Sequence, residues 1–176
     1  DRGQIHLVET LDDIDRLNIN SEKIAYVTQT TLSVSDTQNI IDYLKTKFPN
    51  IIGPRKDDIC YATQNRQEAV KKILKYCSSL IVVGSKNSSN SQRLKEIAQQ
   101  YGIPSYLIDE VSQLDLGELS NGDVIGITAG ASAPEETVQS LVKFLESQGA
   151  KLSNKKLEFK NENITFSIPK ELKKVN

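Results

Sequence analysis

The sequence has little of what several common classes of protein require. It contains two cysteines and one histidine in 176 residues, which excludes a disulfide framework and a metal site made of several histidines from this chain. No apolar run approaches the roughly 20 residues that a membrane-spanning helix needs. The chain opens without an apolar signal segment, and methionine is absent even at position 1. A processed or partial form is therefore expected, with a reducing compartment as its environment.

Neither sign of charge dominates the chain. The 22 Lys and Arg residues and 23 Asp and Glu residues leave a net charge of −1, and the two signs are interspersed without a basic stripe. Nucleic acid is therefore not an expected partner, and no membrane association is indicated. The P-loop and the G-x-G-x-x-G patterns are both missing, so nucleotide binding of the common kinds is not supported.

What the sequence does contain is an alternation of short apolar runs with amphipathic stretches, which is typical of a parallel α/β fold. The apolar runs predict strands over residues 5–8, 23–27, 80–83, 105–108 and 124–127, with a short edge strand after residue 51. The helical periodicity predicts helices over residues 11–17, 35–48, 66–78, 92–101 and 134–148. We therefore expect three-layer parallel-sheet units: a partial unit over residues 1–56, a complete unit over 57–149, and a tail over 150–176 with one or two short strands.

Three of the strand-to-helix loops are rich in hydroxyl and amide side chains. They cover residues 28–33, 84–91 and 128–134. Such loops lie at the carboxyl edge of a parallel sheet, where open α/β sheets bind ligands. They also end at helix N-termini, where unpaired N–H groups and the helix dipole favour an anion. Together the three loops predict a shared pocket for a phosphorylated small molecule.

Each candidate site residue also has a simpler interpretation. Ser89 with Gln92, and Ser132 with Glu135, match the capping-box pattern, so these serines can serve only to cap helices. Cys60 precedes a helix and is compatible with a nucleophile, a metal ligand or a small core residue. Cys77 occupies the apolar face of a predicted helix and is expected in the core. The single histidine, His6, lies in an apolar run and is expected to be half-buried and structural.

Four longer motifs resemble one family, the 4-hydroxy-3-methylbut-2-enyl diphosphate reductases of the non-mevalonate isoprenoid pathway. They are TQTTLSV at residues 28–34, GPRKDDICYAT at 53–63, VGSKNSSNS at 83–91 and TAGASAP at 128–134. The resemblance covers nearly everything from residue 8 to residue 149, and it continues into the tail near residues 162–164 and 169–172. Four motifs in the same order are far more specific than any single one.

The resemblance implies a fold of three α/β units around a [4Fe–4S] cluster held by three cysteines, of which Cys60 matches the third. Thr30 matches the threonine beside the reacting hydroxyl, and Thr63 matches a nearby pocket hydroxyl. The remaining matches are polar contacts of the substrate, mainly of its diphosphate: Thr31, Ser88, Ser89, Asn90 and Ser132. The implied reaction is a reductive dehydroxylation to isopentenyl and dimethylallyl diphosphates, with electrons from ferredoxin or flavodoxin.

The chain departs from the family pattern at its beginning. The family's first unit and the start of its second are missing, and with them go two cluster cysteines, the histidines that contact the diphosphate and the proton-donating glutamate. The resemblance therefore implies a C-terminal portion that, without the N-terminal unit, holds no stable cluster and has no reductase activity. A non-catalytic phosphate-binding module and half of a split enzyme remain alternatives. The pathway implies the cytoplasm in a bacterium or a plastid-type organelle in a eukaryote.

Overall fold

The centre of the molecule is a parallel sheet of three strands. A computed structural model describes residues 4–21, 23–54, 58–120, 122–153 and 157. In it β1 (Ser79–Val83) lies between β2 (Ser105–Ile108) and β3 (Ile125–Ala129), in the order β2-β1-β3. Both pairings are parallel, with Val83 opposite Ile108 on one side and Ala129 on the other. Every residue of β1 is buried, as expected for a central strand covered on both faces.

Helices cover both faces of this sheet. Alternate residues of β1 point to opposite faces, so each face presents apolar side chains that must be buried. Leu80 and Val82 pack with α3 (Tyr61–Ile73) and α4 (Ser89–Gln100) in one apolar cluster. Ile81 and Val83 pack on the other face with α5 (Glu135–Ser147) and with Leu114, which lies between two short 3₁₀ turns. The result is the three-layer α/β/α unit that the sequence predicts.

The described residues 4–21 and 23–54 form a smaller arrangement built on two helices. A capping box at Thr10 and Asp13 starts α1 (Leu11–Arg16), and the Ser33 hydroxyl caps α2 (Val34–Lys47). The helices are joined by a hydrogen bond from the Tyr43 hydroxyl to Asp15 Oδ1 at 2.7 Å. The only pairing of strand type in this described region is a parallel bridge between Ala25 and Ile52. Two helices and one bridge are therefore what the described residues show of the region predicted to be a partial α/β unit.

Several predicted boundaries are wrong, for identifiable reasons. Residues 5–8 are not in a strand, and residues 23–27 are reduced to the bridge at Ala25, because no full partner strand lies beside them among the described residues. His6 is exposed rather than half-buried. Helix α3 begins five residues earlier than the predicted residue 66 and ends at Ile73, where the chain turns to enter β1.

Other local predictions are confirmed. The strand over residues 105–108 is found with the predicted bounds, and Gly102 follows α4 with a φ of +70°, as a C′ glycine does. The strands predicted in the tail lie outside the described residues, apart from Leu157. None of the helices in the described ranges combines the length and the apolar character that crossing a membrane requires.

Candidate functional site

The loops that follow β1 and β3 meet at the carboxyl edge of the sheet. The N–H of Gly130 donates to the carbonyl of Val83 at 2.8 Å, which ties the loop after β3 to the end of β1. The N–H of Gly84 donates to the carbonyl of Ile108 at 2.8 Å and ties the loop after β1 to β2. The sequence prediction that these two loops share one edge is therefore confirmed.

The side chain of Ser91 fills the space between these two loops. It is fully buried, and a Cβ added to Gly84 or to Gly130 would overlap its hydroxyl oxygen. Only glycine permits this approach of backbone to side chain. Sequence reasoning attended to the preceding serines and missed Ser91, although the glycines within the two motifs, Gly84 and Gly130, are the local signal for a close contact.

Asn90 places a buried amide with no partner beside the same loops. Its exposure is only 6%, and neither Oδ1 nor Nδ2 has a hydrogen-bond partner within the described structure. Its Nδ2 lies 3.8 Å from the position that a Cβ on Gly130 would take. An unpaired buried amide costs roughly 1–3 kcal/mol, and such a group requires an explanation, one of which is a bound ion.

The N-terminus of α4 adds donors to this edge. Ser88 is the N-cap, and its Oγ accepts from the N–H of Ser91 at 3.3 Å. The capping box predicted from Ser89 is therefore wrong by one residue, and Ser89 is instead exposed in the first turn. The N–H groups of Ser89 and Asn90 have no acceptor inside the helix, because the carbonyl four residues before each of them lies outside it. The positive end of the helix dipole is directed to the same place.

A cavity of about 310 Å³ opens between α4 and the loop over residues 28–33. Its lining includes Thr31 and Ser89, which the sequence analysis singled out separately, and the cationic side chains of Lys86 and Arg93. Arg93 pairs with Glu96 at 2.7 Å and with Asp36 of α2 at 3.7 Å. Two of the three predicted loops therefore form walls of one polar cavity.

Cys60 is the N-cap of α3 and is exposed. Its N–H donates to the carbonyl of Thr30 at 3.1 Å, so the cysteine and the loop of the candidate catalytic threonine are directly connected. Asp58 makes a second connection, since its carboxylate accepts from the N–H of Thr28 at 2.8 Å. Thr63 lies one turn into the helix and is buried.

Gln67 holds the same loop from further along α3. It is only 2% exposed; its Nε2 donates to the carbonyl of Leu32 at 2.8 Å, and its Oε1 accepts from the N–H of Val34 at 3.3 Å. Positions 60, 63 and 67 follow the spacing of one helix face. Sequence reasoning missed this residue because both of its partners lie more than thirty residues away along the chain.

Ser132 lies in the exposed turn before α5 and does not cap that helix. Pro134 is the N-cap and makes no side-chain hydrogen bond, so the capping prediction for Ser132 is wrong. The turn is connected to α3 through Arg66, whose Nη1 donates to the carbonyl of Ala129 at 3.1 Å. Helix α3 is thus bonded to two of the three polar loops, over residues 28–34 and at the end of β3.

The described residues supply one cysteine ligand for a four-iron cluster, where three are needed. A four-iron cluster with one open iron needs three thiolates, and Cys60 is a single exposed thiol. Cys77 packs against the apolar cluster under α3 and α4. Within the described ranges, no three His, Cys, Asp or Glu side chains are grouped so that they would hold a metal ion.

The two thiols should differ in reactivity. Burial raises the pKa of the Cys77 thiol above its ordinary value, which lowers the thiolate fraction at neutral pH. We expect a disulfide reagent such as DTNB to modify Cys60 first and Cys77 at least roughly ten times more slowly. The Cys60→Ser variant should lose the fast phase and keep the slow one. Equal rates for both thiols would contradict this arrangement.

Comparisons with known proteins give one consistent result. The family model described as LytB protein matches residues 1–146. The chain is 53% identical over 172 residues to the 4-hydroxy-3-methylbut-2-enyl diphosphate reductase of Vesicomyosocius okutanii, covering 96% of this chain and 55% of that protein. It is 52% identical to the Acinetobacter baumannii reductase, covering 97% of this chain and 54% of that protein.

A solved structure gives the same family. The E-1-hydroxy-2-methyl-but-2-enyl-4-diphosphate reductase from Plasmodium falciparum superposes with a TM-score of 0.75 at 44% identity, over 80% of this chain and 44% of that one. The chain spans about half the length of the curated relatives that it matches. With a family model matched over most of its residues, the chain belongs to the LytB protein family.

Proposed function

We propose that this chain is the diphosphate-binding part of a 4-hydroxy-3-methylbut-2-enyl diphosphate reductase. The observation that carries the proposal is the buried, unpartnered amide of Asn90 at the N-terminus of α4, beside the loops that follow β1 and β3. The named relatives are reductases of that substrate. A diphosphate supplies the acceptor oxygens that such an amide and a helix N-terminus lack.

We assign each polar residue of the site a role in that binding. Ser88, Ser89 and Asn90 hold the diphosphate with the first turn of α4, and Ser132 approaches it from the turn before α5. Thr31 contacts the substrate from the wall of the cavity that it shares with Ser89. Thr30 acts at the reacting hydroxyl and Thr63 lines the pocket; the support for this is the bond that joins the Thr30 loop to Cys60.

Cys60 is proposed as one ligand of a [4Fe–4S] cluster, and the other ligands would come from the part of the family's length that this chain does not span. When bound, such a cluster supplies the electrons for reductive dehydroxylation. Ferredoxin or flavodoxin is proposed as the donor of those electrons. The proposed compartment is the cytoplasm of a bacterium or a plastid-type organelle.

Diphosphate binding can be tested on the chain as it is. We expect isopentenyl diphosphate to bind in isothermal titration calorimetry and isopentenyl alcohol, which has the same carbon skeleton without the diphosphate, not to bind. Ser89→Ala should weaken the affinity roughly five- to tenfold, the effect of about 1 kcal/mol for one lost hydrogen bond. Ser140→Ala, on the exposed side of α5, should leave the affinity unchanged.

Two results would reject the proposal. Equal binding of the alcohol and the diphosphate would show that the site does not recognise the anion. A Ser89→Ala variant with unchanged affinity would place the anion away from the first turn of α4.

A further inference from the structure

Arg66 joins α3 to the loop that follows β3. Its Nη1 donates to the carbonyl of Ala129, the last residue of the strand, at 3.1 Å. The carbonyl of the next residue, Gly130, accepts from the N–H of Ala133 at 3.1 Å and so closes the turn that contains Ser132. Arg66 therefore holds the backbone directly before this turn.

Buried polar atoms without partners are grouped around the same stretch of backbone. Arg66 Nε is buried and has no hydrogen-bond partner within the described structure. The same is true of both polar atoms of the Asn90 amide and of Ser91 Oγ, which lie beside Gly130. In the described ranges, the one other such atom is Ser79 Oγ, at the far end of β1. Unsatisfied buried groups are few in native proteins and require an explanation, and one bound ion would explain this whole group.

The charge of Arg66 decides which kind of ion fits. A guanidinium is always protonated, and it has five N–H donors and no acceptor. Arg16 and Arg93 each pair with a carboxylate, whereas no carboxylate in the part of the chain that the structure describes lies within ion-pair distance of Arg66. Partly buried charges are normally paired. An anion with several oxygen atoms would satisfy both the charge and the unpaired donors, and a guanidinium binds phosphate oxygens strongly.

We propose that Arg66 is a positioning residue for the diphosphate of the substrate. It holds the turn of Ser132 through the carbonyl of Ala129, and its positive charge offsets part of the negative charge of the bound diphosphate. The inference rests on the proposed function and extends it, because the hydroxyl and amide groups already assigned to the site carry no charge. A diphosphate has about one more negative charge than a monophosphate, so this cation should make the site prefer the diphosphate.

Two simpler roles for Arg66 lead to different expectations. If the side chain only supported the edge of the sheet through Ala129, its loss would weaken the binding of every phosphorylated ligand by the same factor. If its Nε only bonded a buried water molecule, the charge would be dispensable and a neutral variant would bind as tightly as the unaltered chain. The charge of the ligand is therefore the variable that separates these roles from the proposed one.

The test compares isopentenyl diphosphate with isopentenyl monophosphate in calorimetric titrations of this chain. Arg66→Gln keeps a donor for the carbonyl of Ala129 but removes the charge. We expect it to weaken diphosphate binding roughly tenfold and monophosphate binding no more than roughly threefold, so the preference for the diphosphate falls. Arg66→Lys keeps the charge and should retain the preference to within about twofold. Lys75→Gln is the control, because this exposed lysine lies beyond the far end of α3 and its loss should change neither affinity.

Three results would overturn the inference alone. These are equal weakening of both ligands by Arg66→Gln, an unchanged diphosphate affinity in that variant, and a preference that Arg66→Lys loses as Arg66→Gln does. Arg66 is half-buried, so Arg66→Met, which keeps the apolar stem of the side chain, takes the place of Arg66→Gln if that variant does not fold. No binding of isopentenyl diphosphate by the unaltered chain would reject the proposed function, and this inference with it.

Discussion

Replacing Asn90 by leucine should make the protein more stable and should weaken its binding of diphosphate at least roughly tenfold. The side chain is 6% exposed, and both of its polar atoms lack partners. Removing an unsatisfied buried amide in favour of an apolar group of the same branching should raise the free energy of unfolding by about 1 kcal/mol. For a chain of this size that is an increase of roughly 2–4 °C in Tm.

The affinity for diphosphate should fall while the free energy of unfolding rises, because the same amide is proposed to form a hydrogen bond with the diphosphate. A hydrogen bond to a charged group is worth about 1.5–3 kcal/mol, so the affinity for isopentenyl diphosphate should fall by roughly ten- to a hundredfold or more. Urea unfolding monitored by circular dichroism gives the first quantity, and calorimetric titration gives the second. A gain in stability together with a loss of affinity would show that Asn90 serves ligand binding at a cost to the stability of the fold.

Ser79→Ala is the control for this experiment. The Ser79 hydroxyl is also buried and without a partner in the described structure, but it lies at the start of β1, the end away from the loops. Its removal should stabilise the protein in the same way and leave diphosphate binding unchanged. If Asn90→Leu binds diphosphate as the unaltered chain does, the assignment of Asn90 is wrong. If it is strongly destabilised, the amide has a partner in solution.

The complete α/β unit could be predicted from the sequence because each of its strands is recognisable from its own residues. Residues 80–83 and 105–108 are apolar runs bounded by polar residues, and a run of this kind is buried on both faces wherever it pairs. The two clusters around β1 bear this out, with Leu80 and Val82 on one face and Ile81 and Val83 on the other. The position of the loops over residues 84–91 and 128–134 at one edge then followed from parallel pairing.

The partial unit could not be predicted in the same way. Residues 5–8 and 23–27 have the composition of strands, but a strand exists only beside a partner, and the local sequence does not specify that partner. In this unit the described residues contain one bridge, between Ala25 and Ile52, where three strands were expected, over residues 5–8, over 23–27 and after residue 51. The apolar character that suggested a strand at residues 5–8 appears in the structure as the exposed side chains of Ile5 and Leu7.

The polar loops of the candidate site were predicted from the sequence, whereas the contacts that support them were not. Hydroxyl-rich loops after strands are visible in the sequence, and so is Cys60 before a helix. The first turn of α3 shows no apolar period in the sequence, so its start was predicted too late; its N-cap, Cys60, is bonded to the carbonyl of Thr30. Gln67 was overlooked for a different reason, because both of its partners lie more than thirty residues away along the chain.

Replacing Gln67 by leucine should be among the most damaging single changes in this protein. The substitution removes the two partly buried hydrogen bonds that the Gln67 side chain, only 2% exposed, makes to the carbonyl of Leu32 and the N–H of Val34. Each hydrogen bond contributes about 0.5–1.5 kcal/mol net, so we expect the free energy of unfolding to fall by roughly 1–3 kcal/mol. The loop that carries Thr30 and Thr31 should also lose its position, which weakens diphosphate binding.

Urea unfolding and diphosphate titration measure the two effects. Gln99→Leu, at an exposed position of α4, is the matched control and should change neither quantity by more than about 0.5 kcal/mol. A Gln67→Leu variant as stable as Gln99→Leu would mean that the loop over residues 28–34 does not depend on this side chain.

Gln67→Glu should separate the two hydrogen bonds by pH. At pH 7 the introduced carboxylate can accept from the N–H of Val34 but repels the carbonyl of Leu32, and its burial disfavours the charge, so its pKa in the folded protein is raised above the ordinary value of about 4.3. A raised folded pKa means that the stability is present below about pH 4.3 and is lost as the pH rises through the folded pKa. We therefore expect the deficit relative to the unaltered chain, measured by urea unfolding, to be smaller at pH 4 than at pH 7. An equal deficit at both values would show that the carboxyl does not donate to Leu32 when protonated and that the loop is held through Val34 alone.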